Sequence, residues 1–195
     1  MRRTAEEAAE TRTALLIAAL ESFGTVGWKA STFESVAERA GVTRGALHHH
    51  FRTKQALLTE ALEWGWSEYG SRLFDPGKNA ESGRAFIASL LRTFMSLLRS
   101  DTRFRSLASA TVLAAPQAFD SPDAKVDALG AWREDIASAL KGEKQLSLDT
   151  ETIAGLVVVI IQGLTLSAVT SPEDLPASDA QIDAAARALA AGLLC

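Results

Sequence analysis

Residues 33–51 read FESVAERAGVTRGALHHHF, and this stretch decides the fold of the N-terminal part of the chain. The segment FESVAERA has the composition of a short helix, and Gly41 suits the left-handed residue that ends one. A second helix is predicted to start at Thr43 and to run through the histidines. Ala37 is small enough for two helices to cross closely, and Leu47 is placed to fill the angle between them. The stretch therefore predicts a helix-turn-helix unit.

The start of the second helix carries residue types suited to DNA. In helix-turn-helix units the N-terminal residues of the second helix reach base edges in the major groove. Arg44 suits bidentate binding of guanine O6 and N7, and the Ala46 methyl suits contact with thymine. Gly45 permits close approach to a phosphate, and Thr43 with the free N–H groups of the helix start suits phosphate binding.

The histidine run raises the alternative of a metal site. Consecutive helical residues point about 100° apart, so His48, His49 and His50 cannot face one ion together. Helical metal ligands need i, i+3 or i, i+4 spacing, the chain has no further histidine, and its one cysteine is Cys195. We therefore predict no metal and no cofactor. The histidines are interpreted as groove-wall residues, with a solvated helix face as the alternative.

The composition permits a small anion-binding surface at the N-terminal end. The net charge is −4, but residues 1–60 carry eight Lys and Arg against seven Asp and Glu, whereas the rest carries twelve against seventeen. A single cysteine excludes an intrachain disulfide and favours a reducing compartment, here the cytoplasm. Glutamates between the first arginines and the first apolar run disfavour a signal peptide.

The whole chain is predicted to be all-α, because it has five prolines and no sustained period-two pattern. Capping boxes are predicted at Ser31 with Glu34 and at Ser178 with Gln181. Helices are predicted over residues 5–23, from after 31 to 41, 43–50, 54–73, 84–99, 102–114, 122–141, 150–170 and 179–194. We divide the chain into domains at 1–53 and 54–195.

The sequence does not indicate an enzyme, since it lacks G-x-S-x-G, a P-loop and G-x-G-x-x-G, and its carboxylates are scattered. The apolar run 153–169 is short for a membrane span, contains Gln162 and lacks flanking Lys or Arg, so we predict a buried helix. A helix that is apolar nearly all round must be covered on two sides. The helices at about 150–170 and 179–194 are therefore expected to form a four-helix homodimer interface.

Residues 12–62 resemble the DNA-binding domain of the TetR/AcrR family of transcriptional regulators. The matching segments are ALESFGTVG (19–27), Val36-Ala37, Ala40 to Val42, TRGALHHHF (43–51), and Lys54 with Leu57. His48 departs from the family's usual tyrosine and Gln55 from its usual acidic residue. The resemblance implies DNA contacts by Ser31, Thr32, Thr43, Arg44, Gly45, Ala46, His48, His49 and Lys54.

The resemblance also implies an N-terminal three-helix domain followed by a helical domain that binds an effector and dimerises. Aromatic residues at helical spacing are candidates for the pocket and otherwise belong to the core. The aromatic candidates are Trp66, Phe94, Phe104 and Trp132. Gln162 is the candidate polar contact, and its alternative role is a hydrogen bond in the core or in the dimer interface.

The function predicted from these observations is that of a ligand-responsive transcriptional regulator, with a repressor favoured. It is expected to bind a palindromic DNA operator as a dimer and to be released by a small, mainly apolar effector. Two alternatives remain open: a helical carrier protein with a vestigial DNA-binding head, and an enzyme built in a helical bundle.

Overall fold

A computed structural model describes residues 5–78, 80–119, 128–143 and 146–194, and every regular element in these ranges is helical. The all-α prediction is confirmed. The helices are α1 (Ala5–Thr25), α2 (Gly27–Ala30), α3 (Phe33–Arg39), α4 (Arg44–His50), α5 (Lys54–Lys78), α6 (Gly83–Ser100), α7 (Thr102–Ser109), a π-helix (Ala110–Ala114), α8 (Ala115–Ala118), α9 (Ala128–Leu140), α10 (Thr150–Thr170), a 3₁₀ turn (Pro172–Asp174) and α11 (Asp179–Leu193).

The chain forms two compact units, and each is discontinuous in sequence. Unit 1 comprises residues 1–67 and 103–126, and unit 2 comprises residues 68–102 and 127–195. This division falls inside α5, whereas the domain boundary predicted from the sequence lies between residues 53 and 54. The difference arises because the first part of α5, whose Leu57, Leu58 and Leu62 are buried, belongs to the same compact unit as the first helices and residues 103–118.

Unit 1 is built on the buried face of α1. Its largest fully buried side chains come from α1, α4, α5 and α7 and from the residue after α4. They are Leu15, Phe23, Leu47, Phe51, Leu57, Leu58, Leu62 and Phe104. The core of unit 1 thus joins the helix-turn-helix segment to residues distant in sequence.

Two glycines permit close helix crossings inside unit 1. A Cβ added to Gly24 would lie 2.7 Å from the Cα and 2.9 Å from the carbonyl carbon of Ser106. A Cβ added to Gly65 would lie 2.7 Å from Cδ1 of Leu107. Because glycine has no side chain, α1 and α5 can each approach α7 at these points.

The π-helix lies between α7 and α8, where the sequence predicted one uninterrupted helix over 102–114. The Trp66 indole N–H donates to Thr111 Oγ1 (3.0 Å), and the Thr111 hydroxyl donates to the Leu107 carbonyl (2.8 Å). The Trp66 ring meets Phe104 edge-on, with 6.0 Å between centroids. These contacts hold the wide turn against α5.

Unit 2 packs α6 against α9, α10 and α11. An aromatic cluster lies in its core, where Trp132 contacts Phe74 (5.3 Å between centroids) and Phe94 (6.3 Å), and Phe74 also contacts Phe86. All four side chains are buried.

The start of α10 is fixed by Asp149. Its carboxylate accepts hydrogen bonds from the backbone N–H (2.9 Å) and the hydroxyl (2.7 Å) of Thr152. These bonds, the backbone one first, hold the pKa of Asp149 below its usual range because they favour the charged form.

One face of α10 is exposed in the single protomer, and the predicted cover on two sides, which included a dimer partner, stays a prediction. Leu156, Val159, Leu166 and Val169 are between 38 and 57% exposed, while Ile153, Val157 and Ile161 are buried. Within one protomer the helix is therefore covered on one side. Among the described residues, α10 is the one helix long and apolar enough to cross a membrane, a test that core helices of other proteins pass as well.

Several helix ends differ from the predicted ones. α5 continues to Lys78 instead of ending near residue 73, and α9 is described from Ala128, so the predicted start of this helix at residue 122 lies outside the described residues. The limits of α6, α10 and α11 agree with the predictions to within a residue. The Ser178–Gln181 capping box is confirmed.

The predicted capping box of Ser31 with Glu34 is wrong, because the box lies one residue later. The Ser35 N–H donates to Thr32 Oγ1 (3.1 Å), and the Thr32 N–H donates to Ser35 Oγ (3.0 Å). α2 ends just before this point, and its last turn engages Ser31, which leaves Thr32 as the N-cap of α3.

Candidate nucleic-acid interface

The turn between α3 and α4 is a Schellman motif. Gly41 has φ +69°, its N–H donates to the Glu38 carbonyl (3.0 Å), and the Val42 N–H donates to the Ala37 carbonyl (2.9 Å). Ala37 and Leu47 are both buried, as their predicted packing between the two helices requires. The predicted left-handed residue at Gly41 is confirmed, and the Schellman turn fixes the direction in which α4 leaves α3.

The tip of α4 is exposed, as DNA contact requires. Thr43 caps the helix by accepting from the Ala46 N–H (3.2 Å), and Thr43, Arg44 and Gly45 are all exposed. A Cβ on Gly45 would meet only Thr43 Oγ1, at 3.9 Å. Packing within the protein therefore does not require glycine at this position. The small size of Gly45 instead allows another molecule to approach the backbone closely.

Ser31 and Thr32 differ in accessibility. The Ser31 side chain is 1% exposed, accepts from the Ser22 hydroxyl and donates to the Gly27 carbonyl, both at 2.8 Å. The implied phosphate contact by the Ser31 side chain is therefore corrected, because its hydroxyl is engaged in the core. Thr32 is exposed and lies at the start of α3.

Lys54 binds the C-terminal end of α2. Its ammonium donates to the carbonyls of Trp28 (2.6 Å) and Ser31 (2.9 Å) and lies 4.0 Å from the centroid of the Trp28 ring. Partial burial lowers the pKa of Lys54. Lys54 thus closes α2 against α5, a role that the sequence did not predict and that uses much of its donor capacity.

Arg44 lies in a polar cluster formed by α3 and α4. Its Nη1 is 2.5 Å from Glu34 Oε1, and its Nε donates to Nε2 of His48 (3.3 Å). The Arg44 and Glu34 side chains are 62 and 56% exposed, so the cluster lies at the surface. The His48 ring meets Phe33 edge-on at 4.8 Å between centroids. Glu34 and Phe33 were not predicted as site residues.

The histidines point in different directions. His48 and His49 are exposed and His50 is half-buried, with the His49 and His50 rings 5.6 Å apart. In the part of the chain that the structure describes, no group of three or more His, Cys, Asp or Glu side chains is arranged to hold a metal ion.

The candidate effector residues fall into both units. Trp66 and Phe104 contact each other in unit 1, whereas Phe94 and Trp132 contact each other in unit 2, and Gln162 is half-buried on α10. Unit 2 has an open groove of about 850 Å³ between α5, α6 and α11. Its lining contains none of these residues; it consists of Arg72, Arg92, Thr93, Ser96, Leu97, Ser100, Asp179, Ala180, Ile182 and Asp183.

The fixed turn and exposed tip of α4 define a helix-turn-helix domain. Residues 15–61 match the family "Bacterial regulatory proteins, tetR family". This match lies within residues 12–62 and confirms the resemblance inferred from that segment.

Curated relatives match the same part of the chain. The HTH-type transcriptional repressor BepR of Brucella suis biovar 1 is 54% identical over 62 residues, which are 32% of this chain and 30% of BepR. Other curated regulators are likewise matched over 29 to 46% of their own length.

Solved structures show the same fold over nearly the full chain. A transcriptional regulator from Rhodococcus sp. Rha1 has a TM-score of 0.74 at 24% identity, covering 93% of this chain and 95% of that one. The transcriptional regulator FadR from Bacillus subtilis, in complex with stearoyl-CoA, has a TM-score of 0.73 at 18% identity, covering 93 and 97%. The predicted combination of a helix-turn-helix domain with a helical remainder is confirmed.

Proposed function

We propose that this chain is a ligand-responsive transcriptional regulator and not an enzyme, and that it represses transcription by binding a palindromic operator in the bacterial cytoplasm. The observation that carries the proposal is the exposed tip of α4, held by the Schellman turn within the segment that matches the TetR family. The name of BepR, an HTH-type transcriptional repressor, supports repression over activation.

In this proposal Arg44 contacts a base and its neighbours contact the backbone or the groove. Arg44 is the only arginine or lysine in α4, and its guanidinium suits guanine O6 and N7. Thr32, Thr43 and Gly45 contact phosphates, while the Ala46 methyl meets a thymine. His48 and His49 line the groove wall.

We further propose a homodimer formed by α10 and α11. The exposed apolar residues of α10, at 38 to 57% exposure, form a stripe with the exposed Gly163, where a second helix can approach closely. A two-fold dimer places two copies of α4 in successive major grooves, and the operator is then an inverted repeat.

The effector is proposed to be small and mainly apolar, and to act through the buried aromatic residues. FadR is in complex with stearoyl-CoA, which makes an acyl-CoA a suitable first probe. The cluster of Phe94 and Trp132 with Phe74 and Phe86 is the part of unit 2 that an apolar ligand would enter. Quenching of tryptophan fluorescence on titration with stearoyl-CoA tests this proposal, and a Trp132→Phe variant assigns the signal.

Selection of duplexes from a random library by the purified protein tests DNA binding. We expect an inverted repeat, bound more tightly than a scrambled duplex, and Arg44→Ala should lose about 1–3 kcal/mol of that preference. Arg133→Ala, which removes an exposed charge of the same sign from unit 2, should keep the preference. If the wild-type protein enriches no duplex, the chain is not a sequence-specific regulator.

A further inference from the structure

Two of the three guanidinium nitrogens of Arg44 already have partners within the protein. Nη1 pairs with Glu34 at 2.5 Å, and Nε donates to Nε2 of His48 at 3.3 Å. A bidentate contact with guanine uses either Nη1 with Nη2 or Nε with Nη2. Because Nε has a single N–H, Arg44 must release His48 before its Nε and Nη2 edge can form two bonds with guanine.

His48 is the weaker of the two partners. Its ring nitrogen carries no charge and lies 3.3 Å from Nε of Arg44, whereas the Glu34 carboxylate is oppositely charged to the guanidinium and lies 2.5 Å from Nη1. Release of His48 leaves Nε and Nη2 free on one edge.

Glu34 has a further reason to keep its partner on DNA. A carboxylate close to phosphates is repelled unless a cation accompanies it, so loss of the Arg44 pair would leave an uncompensated negative charge at the interface. Glu34 also lies in the first turn of α3, whose start is fixed by the Thr32–Ser35 capping box. The position of the Glu34 side chain is therefore set by α3, the helix that packs against α4.

We propose that Glu34 determines the sequence preference of the DNA interface by holding Nη1 of Arg44 and directing the Nε and Nη2 edge toward guanine. Glu34 is a positioning residue, because it acts through Arg44. This inference rests on the proposed function, since it requires Arg44 to contact DNA.

Glu38 provides a matched control for the test. It is an exposed carboxylate on the same helix, so Glu38→Gln removes the same charge from α3 as Glu34→Gln. Both variants should raise the affinity for every duplex slightly, because each reduces repulsion of phosphates. Only Glu34→Gln should alter the ratio of affinities for the selected duplex over a scrambled one.

The ratio is measured by fluorescence anisotropy with the full chain at fixed salt. We expect Glu34→Gln to lower it about three- to fivefold, the upper range for an exposed ion pair, and Glu38→Gln to leave it unchanged. In an Arg44→Lys background, where no planar edge exists to be directed, Glu34→Gln should have no effect on the ratio. This second comparison holds even if the single variant is less stable.

The outcomes separate the two proposals. A wild-type protein that selects no duplex contradicts the proposed function itself. If the wild-type protein selects a duplex but Glu34→Gln matches Glu38→Gln, or raises the ratio, the role given to Glu34 is wrong. The role given to Glu34 is also wrong if Glu34→Gln changes the ratio of affinities equally in the wild-type and in the Arg44→Lys background.

Discussion

The crossing of α1 and α7 at Gly24 leads to a prediction about stability. Alanine at Gly24 places its Cβ within 2.7 Å of Ser106 Cα and 2.9 Å of its carbonyl carbon, which are backbone atoms that cannot rotate away. Overpacking of this kind costs about 1–3 kcal/mol, and the upper half of that range applies where backbone must shift. The substitution also gains up to about 1 kcal/mol of helix propensity.

We therefore expect Gly24→Ala to reduce the free energy of unfolding by about 1–2 kcal/mol. For a chain of this size that corresponds to a fall in Tm of about 2–8 °C. The same change at Gly70, where an added Cβ has no atom within 4 Å, carries the propensity gain without the clash. Gly70→Ala should raise Tm by up to about 4 °C.

Thermal unfolding followed by circular dichroism measures both variants, with urea unfolding as a second determination. Opposite signs for Gly24→Ala and Gly70→Ala would confirm that α1 and α7 are in close contact. A Gly24→Ala protein as stable as the wild type would refute the close crossing.

Three further predictions concern a helix cap, a lysine and an exposed face. Because the pKa of Asp149 is lowered in the folded protein, its stabilising effect is present above the usual carboxyl pKa and is lost as the pH falls through the lowered value. Asp149→Ala should therefore lower Tm at neutral pH, and thermal scans at acidic pH should show a smaller difference; a constant difference would contradict this. Lys54→Met should reduce stability by about 1–2 kcal/mol in urea unfolding, because it leaves the carbonyls at the end of α2 without their ammonium, whereas Lys29→Met at an exposed position should not. Val159→Glu should give a monomer in sedimentation at micromolar concentration, whereas the control Ser138→Glu on α9 should give a dimer. If both variants dimerise equally, α10 is not part of the interface.

Local signals predicted the helix-turn-helix segment well, because its decisive contacts span only a few residues. Gly41 ends α3, Thr43 caps α4 and Ser178 caps α11, and each acts through hydrogen bonds within one turn of the chain. The capping box before α3 was misplaced because Ser31 and Thr32 are both capable N-caps. The choice between them depends on burial of Ser31, which the sequence does not show.

Contacts between distant residues were not predictable in this way. The bonds from Lys54 to the carbonyls of Trp28 and Ser31, and the pair of Arg44 with Glu34, join residues on different helices. A pattern of residue types indicates that such groups are polar and exposed, but their partners follow only from how the helices pack. The polar cluster around Arg44 was missed for this reason.

The candidate effector residues show the same limit. Trp66 and Phe94 lie at helical spacing that suits a core and a pocket equally, and the structure places them in different compact units. Periodicity correctly predicted burial of Phe94, whereas Trp66 is half-buried. Periodicity contained no information about which aromatic residues contact one another.

The discontinuity of unit 1 bears on how proteins of this fold can be recombined. A chimera that took only residues 1–53 from this chain would leave behind Phe104 and Leu107, which are both fully buried in unit 1. The grafted head would then have to rest on a foreign helix in place of α7, and a partner that passes farther from Gly24 than the backbone of Ser106 would leave a gap at this crossing. Exchange of DNA specificity is therefore best made by changing the surface residues of α3 and α4, with the remainder of unit 1 kept intact.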